Sequence, residues 1–291
     1  MSYMNEMNGF KLWEKEPNTI CDGARVFTRR IYFPETQNKN KRRLIRVYIP
    51  STYDFSNPHK RFPVLYMLDG KNLFDDYTSF VGEWGVDETI EEMIASGETD
   101  GIIVVGVDAP KGGDDRSLEM LPKGIKRTSR CRGVTDDMVY ANILADYIFK
   151  TVKPIIDETF YTIGDKYHTG VGGSSMGGLM AFYLVSEYSE YCNYSLAFSP
   201  AFFLFNQKAY KEYLESLFKA KKDIGNVYFY VGNIGFEHLF VEPTIATYEF
   251  MKSVGYNDSQ IKYVFDANQE HNEKAWRIYF PDAIRFFNYL K

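Results

Sequence analysis

Apolar residues along the chain fall into two patterns. Two stretches rich in β-branched and aromatic residues come first, Arg25–Phe33 and Leu44–Pro50, separated by the polar run Pro34–Lys41. This arrangement predicts an antiparallel hairpin. After it the alternation stops. Short continuous apolar runs appear at Val64–Leu68, Ile102–Val107, His168–Gly172, Ser195–Phe198, Val227–Val231 and Lys262–Phe265. Between them lie segments with helical spacing, among them Asp137–Thr159, Met176–Tyr188, Gln207–Lys221, Glu242–Val254 and Glu273–Leu290. Strands that are apolar throughout must be covered on both faces, which alternating helices achieve. The pattern predicts one α/β domain over residues 1–291: a doubly wound, mostly parallel sheet of about eight strands, entered through the N-terminal hairpin. Residues 1–22 read as an N-terminal extension.

Local signals refine this reading. Pro243 suits the first turn of a helix starting near Glu242, and Gly255 falls where that helix would be capped. The stretch Pro110–Val134 is rich in Gly, Lys, Arg and Asp without periodicity. It reads as a long loop, and loops of that length in compact α/β domains are often functional.

Composition narrows the function. Lys and Arg total 34 against 39 Asp and Glu, a net charge of −5. An acidic chain without a basic stripe speaks against nucleic acid or an anionic membrane as the main partner. No apolar run reaches the roughly 18 residues of a membrane helix, and Met1 to Ile20 is polar, so the expected location is the cytoplasm. Cys21, Cys131 and Cys192 are far apart, giving neither a disulfide framework nor a zinc site. Aromatic residues make up 17% of the chain, suited to an aromatic core or to a cleft that stacks on sugar rings or aryl acids.

The chemistry centres on Gly170-Val171-Gly172-Gly173-Ser174-Ser175-Met176-Gly177-Gly178. Gly173-x-Ser175-x-Gly177 fits G-x-S-x-G, a strand turning sharply into a helix with an exposed serine at the apex. Such a match arises by chance in about one chain in ten of this composition, so its context decides. An apolar strand precedes it and Leu179–Val185 forms helix after it, as a nucleophile elbow requires. Two other glycine motifs fail: a dinucleotide loop would need Gly at 175, and a P-loop would need Gly-Lys-Ser/Thr.

A serine nucleophile needs a base, and the chain has four histidines. Sites in open α/β sheets lie at the carboxyl ends of the strands. His168 opens the nucleophile strand and His59 precedes the third, so both sit at the wrong end. His238 follows the seventh strand, where the acid belongs in the order Ser…acid…His. His271 follows the last strand and is the expected base. The acid is expected after Val227–Gly232, where Glu237 is the first carboxylate. Glu242 reads as a solvated residue of the next helix's first turn. The alternative is a Ser–His pair without a close acid. The oxyanion hole is expected from the backbone N–H of Met176 and, in Leu68-Asp69-Gly70-Lys71-Asn72, from the N–H of Lys71.

Three motifs in order carry a family resemblance. The run Val64-Leu65-Tyr66-Met67-Leu68-Asp69-Gly70-Lys71-Asn72-Leu73-Phe74, the elbow Gly172 to Leu179, and Glu270-His271-Asn272…Trp276-Arg277 resemble the putative-esterase family of α/β-hydrolases, also called esterase D or enterochelin-esterase-like. Feruloyl and acetyl xylan esterases, siderophore esterases, S-formylglutathione hydrolases and mycolyltransferases belong to it. The resemblance implies Ser175 as nucleophile, His271 as base, and Lys71 and Met176 as oxyanion donors. It also implies substrate contacts from Arg116, in Asp115-Arg116…Glu119…Pro122, and from Trp276. Relatives often carry the acid three residues after the glycine ending the seventh strand, a position occupied here by Gly235. The expected activity is hydrolysis of an acyl ester of a carbohydrate or related small molecule, of feruloyl or acetyl type, through an acyl-enzyme. Siderophore trilactone hydrolysis and acyl transfer are the alternatives, and a noncatalytic binding protein is the competing class. No metal or cofactor is expected. The only partner implied is a small ester, with a homodimer left open.

Overall fold

In a computed structural model, residues 5–34, 42–110, 113–221 and 224–287 are described. Their strands form one ten-stranded sheet, ordered β1-β2-β3-β4-β6-β5-β7-β8-β9-β10. The hairpin strands β3 (Arg25–Tyr32) and β4 (Arg42–Ile49) pair antiparallel, Arg25 opposite Ile49 and Tyr32 opposite Arg42. The predicted turn between them falls largely on residues 35–41, outside the described residues. Beyond β4, the strands β5 (Val64–Leu68), β6 (Ile103–Val107), β7 (Thr169–Ser174), β8 (Tyr194–Phe198), β9 (Asn226–Val231) and β10 (Ile261–Phe265) all pair parallel with one another. These are the six continuous apolar runs of the sequence, and all but β10 are buried almost throughout.

Helices cover both faces. Helices α1 (Val86–Ala95) and α8 (Glu273–Phe286) pack over one face through Ile90, Met93, Trp276, Phe280 and Ile284. The other face carries α2 (Gly113–Met120), α3 (Ala141–Asp146), α4 (Lys153–Thr159), α5 (Met176–Glu187), α6 (Gln207–Ala220) and α7 (His238–Ser253). One π-helical segment, Tyr147–Val152, joins α3 to α4, so the predicted long helix is continuous but locally widened. Most of the aromatic excess is core. Among the largest fully buried side chains are Tyr48, Tyr66, Tyr147, Tyr228, Tyr230 and Phe198.

Several boundaries differ from the sequence expectation. Part of the extension 1–22 adds two short antiparallel edge strands, β1 (Glu6–Met7) and β2 (Phe10–Leu12), the second paired to β3. Strands of two and three residues are too short to show alternation. The loop Pro110–Val134 contains α2, whose sequence Gly-Asp-Asp-Arg-Ser-Leu-Glu-Met offers little apolar periodicity; its residues 111–112 lie outside the described residues. Helix α7 begins at His238, one turn before the expected start. Pro243 therefore lies inside it, at the cost of one backbone hydrogen bond. The end expected for the last helix, residues 288–290, lies outside the described residues.

The start of α1 holds an electrostatic cost. Glu83, Asp87 and Glu88 bring carboxylate oxygens within 4.8 Å of one another. Burial, then the charge of Glu88, push Glu83 up to about 8 and Asp87 up to about 7. Asp76 adds to the repulsion at Glu83, and Arg277 opposes it. A folded-state value above the unfolded one means the fold binds these protons more tightly. The stabilisation is full below the ordinary carboxylate range and is lost as pH rises through about 8. Glu83→Gln should therefore raise the thermal midpoint at pH 9 by about 2–4 °C, the equivalent of about 1 kcal/mol. At pH 5 it should change the midpoint little. Thermal scans at both pH values check this, and an equal gain at both would contradict it.

Candidate active site

The segments that follow β5, β6, β7 and β10 line one cleft of about 690 Å³, whose walls include Lys71, Ser174, Ser175, His271, Glu273 and Trp276. Ser175 stands between β7 and α5 with φ 59° and ψ −118°. A non-glycine residue at positive φ carries about 1–3 kcal/mol of strain and needs surroundings that hold it. The backbone does so: the Ser175 N–H donates to the Phe198 carbonyl at 2.9 Å, and the Ser175 carbonyl accepts from the Ala201 N–H at 3.1 Å. The glycine two residues earlier is required by contact, because a Cβ on Gly173 would lie 2.8 Å from the Gly177 carbonyl carbon. Ser174, by contrast, ends the strand and is buried.

Both expected oxyanion donors lie at helix starts. Met176 is the first residue of α5, so its N–H has no intrahelical acceptor. Lys71 lies in a single 3₁₀ turn, Gly70–Asn72, which follows β5. That turn presses on β6: a Cβ on Gly70 would come within 2.6 Å of the Gly106 carbonyl carbon. Gly70 is thus needed for close approach. Arg116 braces the same turn from α2, its Nε and Nη2 donating to the two carboxylate oxygens of Asp69 at 2.6 Å each. Nη2 also reaches the Ser174 carbonyl at 3.4 Å, tying the turn to the elbow. Arg116 does line the cleft, but its guanidinium is engaged by Asp69.

His271 lies in the loop between β10 and α8. Its Nδ1 is hydrogen-bonded to Oε2 of Glu237, from the 3₁₀ turn Gly235–Glu237 that follows β9. With Nδ1–H donating, the lone pair is on Nε2, the nitrogen that can accept a proton. Three rings fix the imidazole: Phe240 stacks on it with centroids 4.5 Å apart, while Phe236 and Trp276 meet it edge-on at 5.6 and 5.0 Å. Glu237 itself is wholly buried. A buried carboxylate must be hydrogen-bonded. Its Oε1 accepts from the Gly232 N–H at 2.9 Å and from the Ser199 hydroxyl.

Ser199 was not singled out from the sequence. It follows β8 with φ 43°, its N–H donating to the Tyr230 carbonyl at 2.6 Å. Its Oγ accepts from the indole N–H of Trp276 at 3.0 Å. Trp276 is buried and its polar atom is turned to Ser199, so it supports the Glu237–His271 pair from behind. Glu119, adjoining Arg116 in the sequence motif, is also buried and pairs with Arg43. The other candidates stay apart from this cluster. Glu242 is exposed on α7, the His238 ring bonds to its own turn at Gly235, and His168 pairs with Asp165.

The chain matches the family described as Putative esterase over residues 36–287. Solved structures share its fold at low identity. The feruloyl esterase module from Clostridium thermocellum, complexed with sinapinate, is 18% identical, with TM-score 0.67 over 99% of this chain and 97% of that one. A ferulic acid esterase is 19% identical, with TM-score 0.63 over 92% and 98%. The siderophore hydrolase EstB from Aspergillus nidulans is 18% identical, with TM-score 0.65 over 91% and 94%. A search of curated proteins finds no match. The likeness extends to the whole doubly wound sheet, which is an α/β-hydrolase fold. No helix among the described residues is long and apolar enough to cross a membrane.

Proposed function

The chain belongs to the Putative esterase family and is a carboxylic ester hydrolase; on that premise we propose that it works as a serine esterase through an acyl-enzyme on Ser175. The observation that carries this reading is the strained Ser175 elbow opening onto the cleft that His271, bonded to buried Glu237, also lines. Ser175 Oγ attacks the ester carbonyl while His271 Nε2 takes its proton. The carbonyl electron pair moves onto oxygen, where the N–H groups of Met176 and Lys71 receive the charge. The ester C–O bond then breaks, and His271 returns the proton to the departing alcohol. Water, deprotonated by His271, attacks the acyl group and frees Ser175. Glu237 stabilises the imidazolium formed in each half-reaction.

The substrate proposed is an acyl ester of a carbohydrate or related small molecule, of feruloyl or acetyl type. The feruloyl and ferulic acid esterases of like fold support it, as do Phe80 and Val81, two exposed apolar residues on the cleft wall. A siderophore ester is the second reading, favoured by the siderophore hydrolase of like fold. The three thiols, all unpaired, suit the cytoplasm.

A panel of acetyl, butyryl and feruloyl esters with a cyclic trilactone tests the assignment. The expected result is highest kcat/KM on an acetyl or feruloyl ester. Highest kcat/KM on the trilactone would shift the assignment to the second reading, and no turnover by folded protein would refute both.

A further inference from the structure

The cleft is cationic although the chain is acidic. Six basic and three acidic residues line it. Three of the basic groups are matched: Arg43 by Glu119, Arg46 by Asp108 and Arg116 by Asp69. Arg30, Arg42 and Lys71 have no carboxylate within ion-pair distance among the described residues. Glu273, the remaining acid, is pushed up chiefly by burial, and its Oε1 is already engaged by the Asn72 amide at 2.9 Å.

The hairpin register sharpens this imbalance. Arg30 lies opposite Leu44, and Arg42 lies two residues before Leu44 on the same strand. Side chains alternate along strands, so Arg30, Arg42, Leu44 and Arg46 share one face, the face toward the cleft. Arg30 and Arg42 are diagonal neighbours, a spacing of about 7–8 Å. Like charges so placed repel, and an anion between them relieves the repulsion. The ammonium of Lys71 lies 5.4 Å from the Phe80 ring centroid, putting a third cation beside the apolar wall.

We propose that the ester hydrolysed in this cleft carries a carboxylate or phosphate, which Arg30 and Arg42 bind at the hairpin end while its ester group lies at Ser175. This inference rests on the serine-esterase reading and names the charge of its substrate. Two guanidinium groups on paired strands suit a planar or tetrahedral oxyanion through charge-assisted hydrogen bonds. Contacts remote from the reacting carbon hold substrate and transition state alike, so the benefit falls mainly on KM.

Matched ester pairs test this. 4-Acetoxybenzoate against its methyl ester, and 4-acetoxyphenyl phosphate against phenyl acetate, place the anion on the alcohol side. Monomethyl adipate against methyl hexanoate places it on the acyl side. In at least one pair, kcat/KM for the anionic member should exceed that of the neutral one by about tenfold, the size of one charge-assisted hydrogen bond. The preferred pair identifies the side and the anion. The ratio should fall toward unity in about 1 M salt, where screening acts within about 3 Å. It should fall likewise in the double variant Arg30→Gln/Arg42→Gln, whose folding is checked by its thermal midpoint. Equal or greater activity on the neutral members of every pair would overturn the inference while leaving the esterase reading intact. So would a ratio unchanged in the double variant. Failure of every ester, with no labelling by a fluorophosphonate, would refute the esterase reading and this inference with it.

Discussion

Ser175→Ala is expected to lower ester turnover by about 10⁴-fold or more with substrate affinity little changed, the scale seen when a serine nucleophile is removed. The argument is one of frame. Two serines adjoin, and only the second has a glycine at minus two and plus two. Ser175 is the residue at φ 59° between β7 and α5, with the N–H of Met176 directly after it. Alanine there keeps the helix, the turn and the proposed oxyanion donors but removes the hydroxyl proposed to carry the acyl group. Ser174 is buried at the end of β7 and its carbonyl already accepts from Arg116. Ser174→Ala should therefore retain most activity. Steady-state kinetics on both variants check this, and equal losses would contradict the assignment.

Losing the charge behind the base is expected to have the next largest effect. Glu237→Gln should reduce kcat by about 10³- to 10⁴-fold with little change in KM. The carboxylate matters most once His271 is protonated, a condition reached along the reaction and absent in the ground state. An amide can still accept one hydrogen bond, but it cannot offset the imidazolium charge, and its NH₂ would face donors at Gly232 and Ser199 or at His271. His271→Ala should cost at least as much. His238→Ala, His168→Ala and His59→Ala should cost little, since none of these lines the cleft. A loss below about tenfold for Glu237→Gln would instead support a Ser–His pair acting alone.

How much of this could be read beforehand varied with the physics behind each signal. The parallel strands were legible because burial on both faces forces continuous apolar runs. Ser175 and His271 were legible because the turn needs small neighbours and because chain order places strand ends. Glu237 was legible only as the first carboxylate after β9. No residue-level signal gives its depth or its partners. Ser199 left no trace: a serine after a strand is common, and its significance lies in the positive φ that aims its hydroxyl at Glu237. Trp276 and Arg116, the residues expected against substrate, both line the cleft, and the hydrogen bonds of their polar atoms to Ser199 and Asp69 are what no sequence signal gives. The charge of the cleft was hidden by an acidic total. It emerges only when strand register gathers arginines 30, 42 and 46 on one face.

The most direct measurement is labelling of the intact protein with a fluorophosphonate, followed by mass-spectrometric mapping of the modified residue. The account predicts a single stoichiometric adduct on Ser175, absent in Ser175→Ala and present in Ser174→Ala. An adduct on Ser174, or no adduct on folded wild-type protein, would contradict it.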